Sequence, residues 1–149
     1  MNLYAKLLER EAAGRPVKVA VIGAGKFGTM FLAQARLTRG LHVAAVADLD
    51  VARAKDQLKT ANWPDEAYAA SSLADAHKKR ATFVIDDADA LITDPQIEVI
   101  VEATGVPGAG IRHALKAIAS GKHIVMVNVE ADAVAGPLLA RRAMAQVRA

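Results

Sequence analysis

The chain has 149 residues, of which 53% are hydrophobic, and a formal net charge of +3 at pH 7. This length suffices for one domain with a buried core. The sequence contains no cysteine, which excludes a disulfide framework, a thiolate metal site and a cysteine nucleophile, and makes the cytoplasm the expected location.

Positive charge is spread along the chain rather than gathered in one patch. The densest basic clusters, at 78–80 and 141–142, have no aromatic residues interleaved with them, so solvated helix faces explain them better than a nucleic-acid surface. No apolar run reaches the roughly eighteen residues of a membrane span, and residues 1–14 lack the regions of a signal peptide. We therefore expect neither nucleic acid nor a membrane as a partner.

After a short N-terminal helix, the predicted elements alternate between strands and helices. The first helix covers 2–13, because Gly14 ends it and Pro16 prevents its continuation. Apolar, often β-branched runs predict five strands, at 17–22, 41–47, 82–85, 97–103 and 123–127. Further helices are predicted at 26–39, 50–60, 72–79, 87–92, 110–120 and 138–147, with an irregular segment at 62–71. Pro137 is expected in the first turn of the last helix, where proline is tolerated.

This alternation predicts an α/β fold. Strands that are joined by helical crossovers pair in parallel, and right-handed crossovers build an open, doubly wound, mostly parallel sheet, as in a Rossmann NAD(P)-binding fold. We expect residues 1–149 to form one such dinucleotide-binding domain.

A glycine-rich loop with the pattern G-x-G-x-x-G follows the first predicted strand and opens a helix. The pattern alone is weak, but this position between strand and helix gives it meaning. Gly23 permits the tight turn, Gly25 leaves room for a pyrophosphate, and Gly28 lets the helix lie close to the strand. The residues predicted to bind the pyrophosphate at the helix N-terminus are Gly23, Ala24, Gly25, Lys26, Phe27 and Gly28.

Asp48 ends the second predicted strand, about 20 residues after the glycine loop, where a carboxylate accepts hydrogen bonds from the ribose hydroxyls of NAD. The simpler alternatives are a glycine turn without a ligand and an aspartate that merely ends a strand. A carboxylate repels the 2′-phosphate of NADP, so Asp48 favours NAD as the cofactor. Arg53 and Lys55 lie nearby in sequence and could reverse that preference.

The fourth predicted strand leads into small and polar residues. Thr104 and Gly105 would let backbone groups approach a nicotinamide ribose. Glu102, at the end of a buried strand, needs hydrogen-bond partners. A loop amide or a helix N-terminus would explain this carboxylate as well as a functional role would.

Polar residues also follow the fifth predicted strand. Asn128 could orient the carboxamide of the nicotinamide, and Glu130 could face a substrate. The alternative for Asn128 is a turn, and for Asp132 we favour a structural role as the cap of the final helix.

The four histidines, His42, His77, His113 and His123, show no metal-ligand spacing and are expected to be structural or solvated, so no metal site is predicted. The sequence also shows no nucleophile–base pair for acyl transfer.

Several segments resemble the cofactor domain of the homoserine dehydrogenases and their relatives. They are RPVKVAVIGAG leading to Gly28, then VIVEATG at 99–105 and GKHIVMVN at 121–128. The stretch NVEAD at 128–132, followed by GPLL at 136–139, resembles a bacterial subgroup of homoserine dehydrogenase-like oxidoreductases with a C-terminal SAF domain, which includes an alternative 1-deoxy-D-xylulose 5-phosphate reductoisomerase. Homoserine dehydrogenases themselves have a lysine where this chain has Val129.

The resemblance covers essentially the whole chain. It implies NAD(P)-dependent hydride transfer between the nicotinamide and a small hydroxy or carbonyl substrate, in a full-length enzyme that is a homo-oligomer. It also implies that the catalytic residues lie in a following domain that is absent from this chain. Two alternatives from other classes are an NAD(H)-sensing regulatory module and a Rossmann module that has lost its ligand and serves in assembly.

Overall fold

A computed structural model describes residues 2–148. The predicted domain, 1–149, also includes Met1 and Ala149, which lie outside the described residues. Five parallel strands form one sheet in the order β3-β2-β1-β4-β5. The strands are β1 (Val17–Ile22), β2 (Leu41–Ala47), β3 (Phe83–Ile85), β4 (Val99–Glu102) and β5 (His123–Met126). The predicted doubly wound α/β fold is confirmed.

Seven α-helices surround the sheet in the described part of the chain. They are α1 (Leu3–Ala12), α2 (Lys26–Ala35), α3 (Val51–Thr60), α4 (Leu73–Lys79), α5 (Ala88–Thr93), α6 (Pro107–Ala119) and α7 (Val129–Arg148). The segment expected to be irregular contains one 3₁₀ turn, Asp65–Tyr68. Among residues 2–148, no helix combines the length and the apolar character needed to cross a bilayer.

Both faces of the sheet are covered, which explains the nearly continuous apolar runs of β1 and β2. On one face, alternate valines of these strands pack against Leu32 of α2 and Leu58 of α3, both fully buried. On the other face, small alanines of the same strands leave room for Leu91 and Ile92 of α5. Each such buried side chain stabilises the fold by about 1.5–3 kcal/mol relative to exposure.

The strand order reverses direction at β1, which places three strand ends side by side. The amide of Gly23, just after β1, donates to the carbonyl of Ala47 at the end of β2 (2.8 Å). The amide of Ala103, just after β4, donates to Ile22 of β1 (2.8 Å). Ligands of open α/β sheets bind outside the carboxyl ends of the strands at such a switch point.

The bounds of two helices differ from those predicted. Helix α2 ends at Ala35, not at residue 39. Helix α6 begins three residues before the predicted start of 110, with Pro107 in its first turn, because proline is preorganised for that position and needs no amide partner there.

The largest correction concerns α7, which begins at Val129 and not at 138. The side chain of Asn128 caps this helix, since its Oδ1 accepts from the amide of Ala131 (3.1 Å). The expected cap role of Asp132 is therefore wrong, because Asp132 lies inside the helix. Pro137 likewise lies in the helix interior and not in its first turn.

Candidate cofactor site

Two of the three loop glycines are required by the fold itself. Gly23 has a φ of +98°, and a Cβ there would stand 2.6 Å from the carbonyl oxygen of Ala103. A Cβ on Gly28 would stand 2.2 Å from the carbonyl oxygen of Gly23. Both contacts are with backbone, which cannot move aside cheaply. These glycines let the loop touch β4 and let α2 approach β1.

Gly25 is different, because nothing in the fold demands a glycine there. Its φ is −76°, an ordinary value, and a Cβ would meet no atom within 4 Å. Gly25 precedes the first residue of α2 and supplies no side-chain cap. The surface above it is therefore open space at a helix N-terminus, where backbone N–H groups without helical partners attract an anion.

Asp48 ties the end of β2 to this loop. Its Oδ2 accepts from the amide of Ala24 (2.8 Å), and its Oδ1 accepts from the amide of Asp50 (3.0 Å). The guanidinium of Arg53 donates from Nη2 to both oxygens, at 2.9 and 3.0 Å. The carboxylate thus has partners on every side while lying only 9% exposed.

The charge of Asp48 is stabilised in this position. Burial alone would raise the pKa of the carboxyl, but the amides of Asp50 and Ala24 and the guanidinium of Arg53 together lower that pKa below its usual value. Asp48 is therefore ionised at neutral pH. Of its partners, Arg53 alone is a side chain, 53% exposed, and its departure would free one acceptor position on each oxygen while the two backbone amides stay bound.

A groove of about 550 Å³ begins at the loop and runs between α2 and α3. Its polar lining includes Lys26, Thr29, Arg53 and Gln57. Two cations thus flank the open surface at Gly25, which suits a ligand that carries phosphates. Phe27, the remaining loop side chain, is 44% exposed.

On the other side of the switch point, Thr104 and Asn128 come together with Glu102. The hydroxyl of Thr104 donates to Glu102 Oε1 (2.6 Å), and Asn128 Nδ2 lies 3.3 Å from Thr104 Oγ1. Glu102 is completely buried, and Nδ1 of His113 from α6 lies 3.3 Å from the same Oε1. Burial raises the pKa of the Glu102 carboxyl, but the neighbouring side chains of His113, Thr104 and Asn128 together lower that pKa by more.

Gly105 and Glu130 contribute less to this cluster. Gly105 is exposed with a φ of +68°, which turns the chain into α6. Glu130 lies exposed in the first turn of α7, and its side chain joins no hydrogen bond with the other described residues. The structure therefore brings Thr104 and Asn128 together and leaves Glu130 outside.

Two side-chain partnerships in this site have no signal in the sequence. Arg53, expected as a cation that could reverse the cofactor preference, contacts Asp48 directly. His113, expected to be structural or solvated, contacts the buried carboxylate of Glu102. Its position eleven residues after Glu102 carries no sequence signal, because the packing of α6 against the sheet decides which helix face meets the strand end.

Among the described residues, no three histidine or acidic side chains converge. His42 instead contacts the Ala81 carbonyl (2.8 Å), and His77 contacts Asp94 (3.1 Å). Both contacts lie toward the amino ends of the strands, away from the glycine loop.

Comparison with known proteins agrees with this geometry. Residues 17–127 match the model of an oxidoreductase family with an NAD-binding Rossmann fold. No curated protein matches the chain in sequence.

Several solved structures share the fold at low identity. Myo-inositol dehydrogenase from Lactobacillus casei, in complex with NAD(H) and myo-inositol, is 26% identical, with a TM-score of 0.54 over 73% of this chain and 27% of its own. Homoserine dehydrogenase from Thiobacillus denitrificans is 21% identical, with a TM-score of 0.62 over 89% of this chain and 28% of its own. Biliverdin reductase from Synechocystis, in complex with biliverdin and NADP+, is 18% identical, with a TM-score of 0.61 over 88% of this chain and 35% of its own. The chain thus spans about a third, or less, of the length of these proteins.

Proposed function

The chain belongs to the GFO/IDH/MocA oxidoreductase family, which has an NAD-binding Rossmann fold, and from this premise we propose that it holds NAD(P)(H) for hydride transfer to or from a small hydroxy or carbonyl substrate. The nicotinamide supplies the hydride chemistry, and the protein supplies binding and orientation.

The observation that carries the proposal is the open space at Gly25. Gly23 and Gly28 would be needed for this turn with or without a ligand, since a Cβ at either would meet backbone. At Gly25 neither the backbone angles nor a neighbouring atom requires a glycine. A pyrophosphate on the N-terminus of α2 does require it, which also speaks against a Rossmann module that has lost its ligand.

Each group of residues along the strand ends has a different proposed binding role. The loop from Gly23 to Gly28 binds the pyrophosphate through backbone N–H groups. Asp48 accepts from the adenosine ribose once Arg53 has moved aside. Thr104, Gly105 and Asn128 lie at the proposed nicotinamide half, with Glu130 exposed beside them in the first turn of α7, where the catalytic residues of a following domain would complete the pocket.

For the cofactor we propose NAD(H) as the preferred partner, because an ionised Asp48 repels a 2′-phosphate. Arg53 opposes this preference, since it neutralises Asp48 and offers its exposed guanidinium to a phosphate. Coenzyme choice at this site is therefore a balance between two side chains that contact each other.

At the level of the whole protein, the proposal is a homo-oligomeric, cytoplasmic enzyme of the homoserine dehydrogenase-like group with a SAF domain, including 1-deoxy-D-xylulose 5-phosphate reductoisomerase-like chemistry. Its support is the resemblance of 128–132 and 136–139 to that subgroup and of 99–105 and 121–128 to the homoserine dehydrogenases and their relatives, with Val129 separating the chain from homoserine dehydrogenase itself.

A fluorescence titration of the chain with NADH and, separately, with NADPH tests the proposal. We expect saturable binding of both, with NADH bound more tightly. In Arg53→Ala, NADPH affinity should fall about tenfold, the equivalent of one lost charge-assisted contact, while NADH affinity holds or rises.

The control is Lys59→Ala, which removes an exposed cation from the last turn of α3 and should change neither affinity. Failure of a folded wild-type chain to bind either nucleotide would contradict the proposed function. Tighter binding of NADPH than NADH would contradict the proposed preference.

A further inference from the structure

Glu102 is the most deeply buried carboxyl group in the described chain, with no exposed surface. Its Oε1 accepts from the hydroxyl of Thr104 (2.6 Å) and contacts His113 Nδ1 (3.3 Å). Its Oε2 is buried and has no hydrogen-bond partner among the described residues. Burying a carboxylate with one oxygen unsatisfied is costly, and an apolar side chain of the same size would stabilise the fold as well or better.

The fold does not need this carboxylate for the sheet. Glu102 pairs with its neighbouring strands through backbone, and its carbonyl accepts from the amide of Val127 (2.9 Å). Any apolar residue would serve there, as Val101 and Ile100 do in the same strand. The Glu102 carboxylate therefore has a role other than sheet formation, and its side-chain contacts indicate that role.

The hydroxyl of Thr104 links Glu102 to Val106 in the loop after β4 and to Asn128 before α7. An ionised carboxylate only accepts hydrogen bonds, so the Thr104 hydroxyl must donate to it. The lone pairs of that hydroxyl are then oriented to accept from the amide of Val106 (3.2 Å) and from Asn128 Nδ2 (3.3 Å). Asn128 also donates to the Val106 carbonyl (2.9 Å) and caps α7. Asn128 thus joins the loop after β4 to the start of α7, and Glu102 orients the Thr104 hydroxyl against which Asn128 Nδ2 lies.

We propose that Glu102 is a positioning residue that fixes the nicotinamide half of the cofactor site, acting through Thr104 and Asn128. The inference rests on the proposed function. On this account the fold tolerates the costly buried carboxylate because Glu102 improves binding of the nicotinamide half. Binding of the pyrophosphate half should not depend on Glu102, because the pyrophosphate loop contacts Asp48 instead.

The test compares NADH with ADP-ribose, which has the adenosine and the pyrophosphate but no nicotinamide. In Glu102→Met, which fills the space without an acceptor, NADH affinity should fall about tenfold, the equivalent of one strong hydrogen bond, while ADP-ribose affinity is unchanged. Glu102→Gln keeps an oxygen that accepts from Thr104 and should restore most of the NADH affinity. Thr104→Val removes the hydroxyl that transmits the effect and gives the same selective loss should Glu102→Met not fold.

A structural control separates this effect from general destabilisation. Thr82 donates a buried hydrogen bond to the Val43 carbonyl (2.6 Å), before β3 and far from the loops in question. Thr82→Val should lower the free energy of unfolding and leave the ratio of the two affinities unchanged.

Two results would overturn the inference while leaving cofactor binding intact. One is wild-type binding of NADH no tighter than that of ADP-ribose. The other is an equal change, or no change, of both affinities in Glu102→Met and Thr104→Val. A wild-type chain that binds neither ligand would instead refute the proposed function itself.

Discussion

The residues of the glycine loop and the strand ends are required for different reasons, some for packing of the fold and others for the proposed ligand binding. Gly28 is required by packing, because its missing Cβ leaves room for the carbonyl of Gly23. Neither a neighbouring atom nor the backbone angles require a glycine at position 25, and in the proposed function a ligand does. Asp48 accepts a hydrogen bond from the loop amide of Ala24, and the proposed function gives it a ribose as a second partner. A motif of three glycines and one acid therefore combines structural and binding roles that a pattern alone does not separate.

His42 gives a prediction on pH at the same scale. Its ring is 6% exposed, and burial lowers its pKa below the usual value, with His77, Arg80 and Lys18 as the neighbouring charged or titratable groups. The folded protein therefore takes up this proton less readily than the unfolded chain. The contribution of neutral His42 to stability is complete above about pH 6.5 and is lost as the pH falls through the lowered pKa. The free energy of unfolding, measured by urea denaturation, should decrease over that acidic range.

The variant His42→Gln keeps a donor for the Ala81 carbonyl but does not titrate, so its loss of stability on acidification should be smaller than that of wild type. His123→Gln is the matched control, since His123 is exposed at the start of β5, and should follow the wild-type curve. An equally steep decrease in His42→Gln would show that other groups cause it.

At this scale, sequence position identified the strand-end residues but not their partners. Asp48 and Glu102 both end buried strands, and that much follows from the apolar runs before them. Which side chains cover the two carboxylates depends on where α3 and α6 pack. Arg53 and His113 are separated from them by 5 and 11 residues along the chain, and no local periodicity links them.

Among the secondary-structure elements, α7 departs most from the sequence prediction. Gly136 and Pro137 favoured a helix that begins there, because proline is common in a first turn. The core-facing residues of α7 explain why the helix begins before Pro137. They recur every four positions, at Ala131, Ala135, Leu139 and Ala143. Small alanines in the first half give this stripe a weak hydrophobic signal, and the packing against α6 accommodates the interior proline.

The extended α7 predicts an unusual effect of Pro137→Ala. Pro137 is exposed inside the helix, where it removes one backbone hydrogen bond to the carbonyl four residues earlier. Alanine restores that bond, so the free energy of unfolding should rise by about 1–3 kcal/mol, together with the helical circular dichroism signal.

Pro107→Ala is the matched control, because Pro107 occupies the first turn of α6, where proline is favourable. That variant should be unchanged or slightly less stable. If Pro137→Ala behaved in the same way as Pro107→Ala, α7 would begin at Pro137 after all.

For the molecule as a whole, the regular alternation of apolar strands and helices was enough to predict the doubly wound sheet. Right-handed crossovers leave few other arrangements for such a chain. The contact between Gly23 and Ala103 was not predictable, because it depends on β1 and β4 being neighbours although far apart in sequence. That contact brings the glycine loop against the end of β4, so the two halves of the proposed cofactor site lie side by side.

The family match fits the proposed role in dinucleotide binding. In that role the described residues supply a glycine loop for the pyrophosphate, Asp48 for the ribose, and Thr104 and Asn128 for the nicotinamide half. No three histidine or acidic side chains converge among residues 2–148. Binding of the dinucleotide is therefore the property of the molecule on which every other proposal depends.

Chemical unfolding of wild type and Gly25→Val, each with and without NADH in excess, tests that property most directly. NADH at 100 times its Kd should stabilise wild type by about 2.7 kcal/mol. Gly25→Val should lie within about 1 kcal/mol of wild type without ligand, the cost of a poorer N-cap, and should gain nothing from NADH. Gly28→Ala, where a Cβ meets backbone, should already be destabilised without ligand. Equal stabilisation of Gly25→Val and wild type by NADH, or no stabilisation of either, would contradict the assignment of this loop as the cofactor site.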